Sequence, residues 1–271
     1  MRLRAALACL AVACAVEAWA APTSCPENYA AGQAPDIVRE QLAAKVSEVC
    51  REGFGVFHSG VAAVPLWSAQ RLTADRVLRA KAVERVDRFF AEDRLPREER
   101  AELEHYRGSG FDRGHLAPSG DMETDVSQAE SFSLANVVPQ DPSLNRGLWA
   151  HVEATARGLA LAYGETYVVT GVAFQGAGIR RAGGRVLVPS AVWKAVFVPS
   201  AAAAAAWWAP NEAPGTAYEV ITLQELEERS GIRAFPSVPE EMRMIGAQLP
   251  RPSRQADRLK TRRAGATEAV R

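Results

Sequence analysis

Two short runs of residues constrain this chain more than any other part of it. The first is Phe111-Asp112-Arg113-Gly114-His115-Leu116-Ala117-Pro118, and the second runs from Ala135 to Trp149. An arginine can grip a phosphate through two parallel hydrogen bonds, an imidazole can take a proton from water, and an amide oxygen can bind a hard cation. The two runs therefore predict one site for phosphodiester chemistry.

The spacing within the first run suggests how its side chains share the work. Arg113 lies two residues before His115, so both side chains lie on the same side of an extended strand. A guanidinium there can hold a phosphate while the imidazole acts as a general base toward water. Gly114, between them, is interpreted as allowing close approach of the substrate to the backbone.

A helix is predicted to begin near the end of the second run. The apolar residues of its core face recur at three- and four-residue spacing: Leu144, Leu148, Val152, Thr155 and Leu159. Asn145 lies at the amino end, where the helix dipole is positive. Glu153 and Arg157 follow eight and twelve residues later, about 80° and 120° around a regular helix from Asn145. One side of this helix thus offers an amide, a carboxylate and a guanidinium to a cleft.

The D-R-G-H box and the downstream N-x-x-x-W helix resemble the DNA/RNA non-specific endonuclease family. The stretches 65–68, 108–111 and 168–171 also look like periplasmic members of that family, whereas Ala135 stands where many members carry serine. The resemblance implies a ββα-metal finger within a single mixed domain of the α/β (α+β) class. Its central sheet is expected to be largely antiparallel, with flanking helices.

The activity implied by the resemblance is metal-dependent hydrolysis of DNA and RNA with little sequence specificity, leaving 5′-phosphates. The resemblance assigns His115 as the group that activates water. It assigns Asn145 to a single Mg²⁺, for which Mn²⁺ could substitute, often as the only direct protein ligand. Glu153 would fix water bound to that ion.

The remaining residues of the implied site bind or orient. Arg113 and Arg157 correspond to the residues that bind phosphate, and Asn136 corresponds to an asparagine that orients neighbouring groups. Asp112 is assigned to a turn or to support of the arginine, with metal ligation as the alternative. The acidic cluster 121–125 is interpreted as a solvated loop, with a cation site as the alternative.

The amino terminus has the pattern of an export signal. Arg2 and Arg4 precede an apolar core over residues 5–16 and an A-x-A cleavage site that ends at Ala20. Residues 1–20 are therefore predicted to be a signal peptide, and the protein to be periplasmic or secreted. No later stretch is apolar and long enough to span a bilayer, so no membrane partner is expected.

Removal of the signal peptide leaves two cysteines, Cys25 and Cys50. In an oxidising compartment they are expected to pair with each other. Such a bridge would close a loop of roughly 25 residues and contribute on the order of 3 kcal/mol, if chain entropy is the main contribution.

The mature chain is predicted to form one endonuclease domain over residues 21–249, followed by a basic, disordered tail over 250–271. The whole sequence has 32 basic and 32 acidic residues, and loss of the signal peptide leaves 30 against 31. A protein with this balance must concentrate positive charge locally to bind DNA or RNA. A monomer and a homodimer are both compatible with the composition.

Two other function classes fit parts of the sequence. A serine hydrolase would use Ser119 near His115, but the nucleophile pattern G-x-S-x-G is absent from the chain. A nucleic-acid-binding protein that does not cleave would retain the same fold. The complete set of predicted site residues favours the enzyme over this alternative.

Overall fold

The computed structural model describes residues 23–258. The predicted signal peptide lies outside the described residues, as do residues 259–271. The strands are β1 (Asp36–Ile37), β2 (Val46–Arg51), β3 (Phe54–Ser59), β4 (Val64–Thr73), β5 (Asp112–His115), β6 (Val137–Gln140), β7 (Glu165–Ala173), β8 (Arg181–Ala182), β9 (Val186–Leu187), β10 (Ala191–Val198), β11 (Ala203–Pro210), β12 (Glu219–Ile221) and β13 (Ile232–Arg233). The α-helices are α1 (Ala74–Ala80), α2 (Leu103–Tyr106), α3 (Asp125–Ser131), α4 (Pro142–Leu144), α5 (Ala150–Tyr163), α6 (Leu223–Ser230) and α7 (Glu240–Ile245).

A seven-stranded antiparallel sheet forms the centre of the molecule, in the order β12-β11-β10-β7-β4-β3-β2. Its inner strands are buried on both faces because helices and loops cover each side, and they are correspondingly rich in valine, alanine and tryptophan. In β10, Val192 and Val196 pack into one hydrophobic cluster, whereas Trp193 and Ala195 pack into the other. The structure thus confirms the predicted α+β class with an antiparallel sheet and flanking helices.

The two faces of the sheet carry different structures. One face packs against α5 and the β5–β6 hairpin, through residues such as Trp149, Val152 and Val137. The opposite face packs against α6 and the amino-terminal segment, through residues such as Leu226 and Tyr29. The predicted disulfide joins Cys25 to Cys50 on that opposite side, with 5.8 Å between the Cα atoms. The hairpin followed by α5 gives the ββα arrangement on the first face.

Tertiary pairing decides the secondary structure of several segments. Most of the alanine run, residues 200–206, belongs to strand β11, where pairing with β10 outweighs alanine's low strand propensity. Pro65 lies in the first part of β4, which pairs with β3 alone because pairing with β7 begins at Trp67. Proline therefore occupies a position that is locally an edge, where its missing N–H is tolerated. Residues 36–51 contain β1, a 3₁₀ turn and β2.

The first residues of the predicted tail contact the domain. Residues 250–258 follow the surface of the domain, and the 3₁₀ turn Ala256–Arg258 packs against α5. Among the described residues, no helix combines the length and the apolar character needed to cross a bilayer.

Candidate active site

The β5–β6 hairpin presents Arg113 and His115 to the same surface. The two residues pair with Pro139 and Val137 of β6, respectively. The Arg113 guanidinium lies 4.2 Å from the centre of the Phe89 ring, and the His115 ring centre lies 5.3 Å from that of Phe89. Both side chains therefore contact one ring, as expected for alternate positions on a strand.

Gly114 serves packing within the hairpin, not approach of a substrate. A Cβ atom at this position would lie 2.1 Å from Oε1 and 2.7 Å from Cβ of Gln140. Gly114 and Gln140 are both buried, so the space that the missing side chain leaves is filled by the partner strand. The sequence-based interpretation of this glycine is therefore wrong.

His115 lies in a largely apolar surrounding and is only 9% exposed. Its ring packs edge-on against Phe132, with 4.9 Å between ring centres, and beside Phe89. Burial, and after it the nearby Arg85 guanidinium, lowers the pKa of His115 to about 3. The imidazole is consequently neutral near pH 7. Its Nε2 is buried and has no hydrogen-bond partner in residues 23–258, and Nδ1 forms no hydrogen bond within that range either.

Arg85 is a cation of this site that the sequence did not single out. Its guanidinium lies 5.4 Å from the centre of the Phe132 ring, and Nη1 donates a hydrogen bond to Ser119 Oγ at 2.9 Å. The residue belongs to an irregular segment with no periodic pattern, so nothing local indicated that it would reach His115. The structure therefore adds a second positive charge beside the imidazole, in addition to Arg113.

Asn145 is held in one orientation by Asp112. Its Nδ2 donates to Asp112 Oδ2 at 2.9 Å, and Arg146 donates to the same carboxylate at 2.6 and 2.8 Å. Partial burial would raise the pKa of Asp112, but the hydrogen bonds from Arg146 and Asn145 hold it below its usual range. This places Asp112 in support of Asn145, a role that the sequence analysis did not assign.

The fixed carboxamide suits a divalent cation. With Nδ2 committed to Asp112, the amide oxygen Oδ1 has no hydrogen-bond partner in the described part of the chain. Asn145 is partly exposed and lines a cavity of about 470 Å³ together with Asp112 and Arg113. A single neutral oxygen ligand beside a polar cavity fits Mg²⁺, which retains most of its own waters in protein sites.

The backbone before α5 is not a regular helix. Asp141 caps α4 by accepting hydrogen bonds from the amides of Ser143 and Leu144, and Pro142 occupies the first turn. Residues Asn145–Trp149 then form a π-helical turn before α5 begins at Ala150. Because a π turn has a wider hydrogen-bond spacing than an α-helix, the angles of 80° and 120° predicted from Asn145 do not apply.

Glu153 and Arg157 line a second cavity, of about 540 Å³, which Asn145 does not line. Burial raises the pKa of Glu153 to about 7, partly offset by Lys194 and Arg157. The Arg157 guanidinium donates to Asp121 Oδ1 and to Asp257 Oδ2, both at 2.9 Å. Asn145 therefore faces one cavity, and Glu153 and Arg157 face another. The Arg157 guanidinium is already paired with two carboxylates.

Two buried charged residues lie near Glu153. The sequence placed Asp121 in a solvated loop and did not single out Lys194. Asp121 was expected in a solvated loop, but it is 2% exposed and also accepts a hydrogen bond from Gln70 at 2.6 Å. Lys194 is 1% exposed on β10, and its ammonium lies 5.7 Å from the Trp149 ring centre and 3.4 Å from the carbonyl oxygen of Leu116. Burial lowers the pKa of Lys194. A lysine within an apolar strand gives no signal in the sequence that distinguishes it from an exposed one.

Asn136 is fully buried and all its side-chain bonds go to neighbouring protein groups. Its Oδ1 accepts from Ser68 Oγ and from the Ala117 amide, and its Nδ2 donates to the carbonyl oxygens of Ala117 and Ser131. Asn136 therefore fixes the loop that follows His115 and does not itself line either cavity.

Comparison with known proteins gives one consistent result. The model of the DNA/RNA non-specific endonuclease family matches residues 33–241. Nuclease C1 of Cunninghamella echinulata var. echinulata is 33% identical over 204 residues, which cover 68% of this chain and 81% of that protein. The human mitochondrial nuclease EXOG is 29% identical over 233 residues, which cover 76% of this chain and 62% of EXOG.

A solved structure shows the same fold. A chain from the crystal structure of the EndoG/EndoGI complex superposes with a TM-score of 0.65 at 23% identity, covering 72% of this chain and 88% of that one. The predicted periplasmic or secreted bacterial type finds no support among these relatives, several of which are mitochondrial, and it stays a prediction.

Proposed function

The chain belongs to the DNA/RNA non-specific endonuclease family, and on this premise we propose that it is a secreted, Mg²⁺-dependent enzyme that uses His115 as general base. The observation that carries the proposal is a neutral imidazole and a carboxamide oxygen that both lack hydrogen-bond partners among residues 23–258. Asn145 lines one cavity with Arg113 and Phe89, and the His115 ring packs against that same Phe89 ring.

His115 accepts a proton from the attacking water. A neutral imidazole can do so without first losing a proton of its own, and its flanking rings, Phe89 and Phe132, exclude other hydrogen-bond partners. The pKa of about 3 belongs to the protein without substrate. A phosphate dianion or monoanion at Arg113 places negative charge beside the ring, which raises the pKa and strengthens the base.

Arg113 binds the substrate phosphate. Its guanidinium is exposed, stacks on Phe89 and has no ion-pair partner in the described part of the chain. Arg85, which pairs with Asp87, adds a second positive charge near His115. Such cations stabilise the charge that develops on the phosphoryl oxygens during attack. Arg157 supplies a further phosphate contact in the second cavity.

Asn145 would hold the divalent cation, and Asp112 fixes the orientation of its carboxamide. When bound, the cation supplies stabilisation of negative charge on the scissile phosphate and its leaving oxygen. Glu153 accepts hydrogen bonds from water molecules in the neighbouring cleft. These residues contact phosphate, water and cation only, so the reaction is expected to show weak sequence preference, to act on DNA and RNA, and to leave 5′-phosphates.

Secretion is proposed from the sequence of residues 1–20, and the Cys25–Cys50 disulfide fits an oxidising compartment. The proposal of export is tested by sequencing the amino terminus of the protein recovered from the cell envelope or the medium. A mature chain that starts at Ala21 supports export with cleavage after Ala20. An unprocessed amino terminus would contradict it.

The enzymatic proposal is tested by incubating the mature chain with supercoiled plasmid and with single-stranded RNA, in Mg²⁺ and in EDTA. We expect nicking and degradation of both substrates in Mg²⁺ and none in EDTA. Gel retardation without cleavage under every metal condition would instead assign the chain as a binding protein of the same fold.

A further inference from the structure

The segment Ser253–Arg258 lies across the helix that carries Glu153 and Arg157. The Ser253 amide donates to Thr155 Oγ1 at 2.9 Å, and Lys81 Nζ donates to the carbonyl oxygen of Asp257 at 2.8 Å. The segment lies beyond residue 241, where the match to the family model ends.

Gly158 provides the space into which the segment fits. A Cβ atom on this residue of α5 would lie 2.8 Å from the carbonyl oxygen and 3.1 Å from the carbonyl carbon of Ala256. These are backbone atoms, so a side chain at position 158 would displace the segment instead of merely rotating a side chain. The helix surface and the segment are therefore complementary in shape as well as in hydrogen bonding.

The contact occupies the donors by which Arg157 would hold a phosphate. A bidentate grip needs two neighbouring N–H groups of one guanidinium. Asp257 accepts from Nε and Asp121 accepts from Nη1, so each such pair includes a donor that is already engaged.

Of the two carboxylates, Asp257 is the one that can leave. Asp121 is 2% exposed and is held by Gln70 as well. Asp257 is 20% exposed, and the segment that carries it contacts the domain through only a few bonds. Removal of Asp257 from α5 frees Nε and the adjacent Nη2 on one edge of the guanidinium.

We propose that Ser253–Arg258 is an internal competitor of the polynucleotide substrate, in which the Asp257 carboxylate occupies the place of a substrate phosphate on Arg157. The inference rests on the proposed role of Arg157 in phosphate binding. The segment leaves α5 when a polynucleotide binds, so the apparent Kd for substrate equals the intrinsic Kd divided by the fraction of molecules in which the segment is undocked.

Two variants of the full-length mature chain weaken the docking by different means. Asp257→Asn removes the charge and keeps the shape, and Gly158→Ala pushes away Ala256 while favouring the helix. Asp93→Asn serves as the control, since it removes an exposed carboxylate that pairs with Arg100 elsewhere on the surface. The KM for plasmid is measured in Mg²⁺. The Kd for a fluorescent single-stranded oligonucleotide is measured by anisotropy in EDTA, where no cleavage occurs.

We expect Asp257→Asn and Gly158→Ala each to lower KM and Kd by about three- to tenfold, with kcat within about twofold and with Asp93→Asn unchanged. Hydrogen exchange of the amides of residues 253–258 should become faster when the oligonucleotide is bound. Unchanged constants would overturn the proposal. Raised constants, or exchange that slows on binding, would also overturn it, because they would make the segment a wall of the substrate cleft.

Failure of the proposed function gives a different result. If the wild-type chain cleaves nothing in Mg²⁺, the enzymatic role is lost, but the anisotropy and exchange measurements still test the competition. If the wild-type chain cleaves and the two variants match it in KM and Kd, only the competition is lost.

Discussion

The first cavity lies beside the start of α5 and the second lies along it. They differ in whether their arginine is already bound by carboxylates. In the first, Arg113 is exposed, stacked on Phe89 and free of ion pairs within residues 23–258. In the second, Arg157 is 14% exposed and bound by two carboxylates. The first cavity is thus arranged to accept an anion directly, whereas the second must lose an internal anion first. A buried or exposed arginine therefore does not by itself identify a phosphate site. An arginine is available to a phosphate only when carboxylates of the protein do not already occupy its N–H groups.

Replacement of His115, whose ring packs on Phe89 at the wall of the first cavity, tests whether the chemistry occurs beside that cavity. His115→Ala should lower kcat by roughly 10²- to 10⁴-fold, the usual contribution of a general base. His151→Ala, on the partly exposed surface of α5, is the matched control and should leave the rate unchanged. The measurement is plasmid cleavage under saturating Mg²⁺. A His115→Ala enzyme within about tenfold of wild type would show that His115 is not the general base.

Replacement of Asp112 tests how Asn145 is positioned. Asp112→Asn loses the charge that accepts from Asn145 and Arg146, so we expect Mg²⁺ affinity to fall by about 10- to 100-fold, as for other groups that orient a metal ligand. Asn145→Ala should have at least the same effect, and Arg146→Ala, which changes an exposed side chain, a smaller one. Mg²⁺ titrations by calorimetry give the affinities. Identical titrations for wild type and Asp112→Asn would contradict the assignment.

The pH dependence of the rate tests the contribution of the second cavity. Burial raises the pKa of Glu153 to about 7, so its carboxylate is lost as the pH falls below that value. We expect kcat/KM to fall by up to about tenfold per pH unit on the acid side, because Glu153 becomes protonated there. His115, with a pKa of about 3, does not titrate in that range. Bound cation would lower the pKa of Glu153 and move this limb to lower pH.

Glu153→Gln should lower the rate and remove the acid limb. The profile is measured between pH 5 and 9 at constant ionic strength, and the fold is checked by circular dichroism at each end. A wild-type profile that stays flat through this range would show that ionisation of Glu153 does not limit the reaction.

Removal of the disulfide should have the smallest effect on activity, since it lies on the opposite side of the sheet from both cavities. The Cys25→Ser, Cys50→Ser double variant is expected to lose on the order of 3 kcal/mol of unfolding free energy and to keep kcat within about twofold at low temperature. Urea titration and plasmid cleavage measure the two quantities. A large loss of kcat in a folded variant would show that the two faces are coupled.

The sequence was a good guide where function depends on local order. Arg113 and His115 alternate on a strand, so their common side follows from two-residue periodicity alone. Helix caps are equally local, since the side chains of Thr73 and Thr222 accept hydrogen bonds from backbone amides at the starts of α1 and α6. Such features are fixed by backbone geometry within a few residues, which the sequence shows directly.

The sequence was a poor guide where distant segments meet. Arg85, Asp121 and Lys194 belong to three separate segments, yet they surround the same site. Gly114 was assigned to substrate because its neighbour Gln140 is remote in the chain, and the π turn at Asn145 changed angles that a regular helix would have given. None of these contacts has a local pattern.

The sequence alone determined which residue types are available for the proposed chemistry, because the order of side chains along one strand and one helix already predicts a base, a cation ligand and phosphate-binding groups. Only the tertiary structure decided which of them are free to act. Arg113 stacks on Phe89, whereas Arg157 pairs with Asp257, and the His115 imidazole is neutral. Each of these states depends on burial and on groups brought from other parts of the chain. Electrostatic interactions act through space, so the linear order of residues does not contain them until the chain has folded.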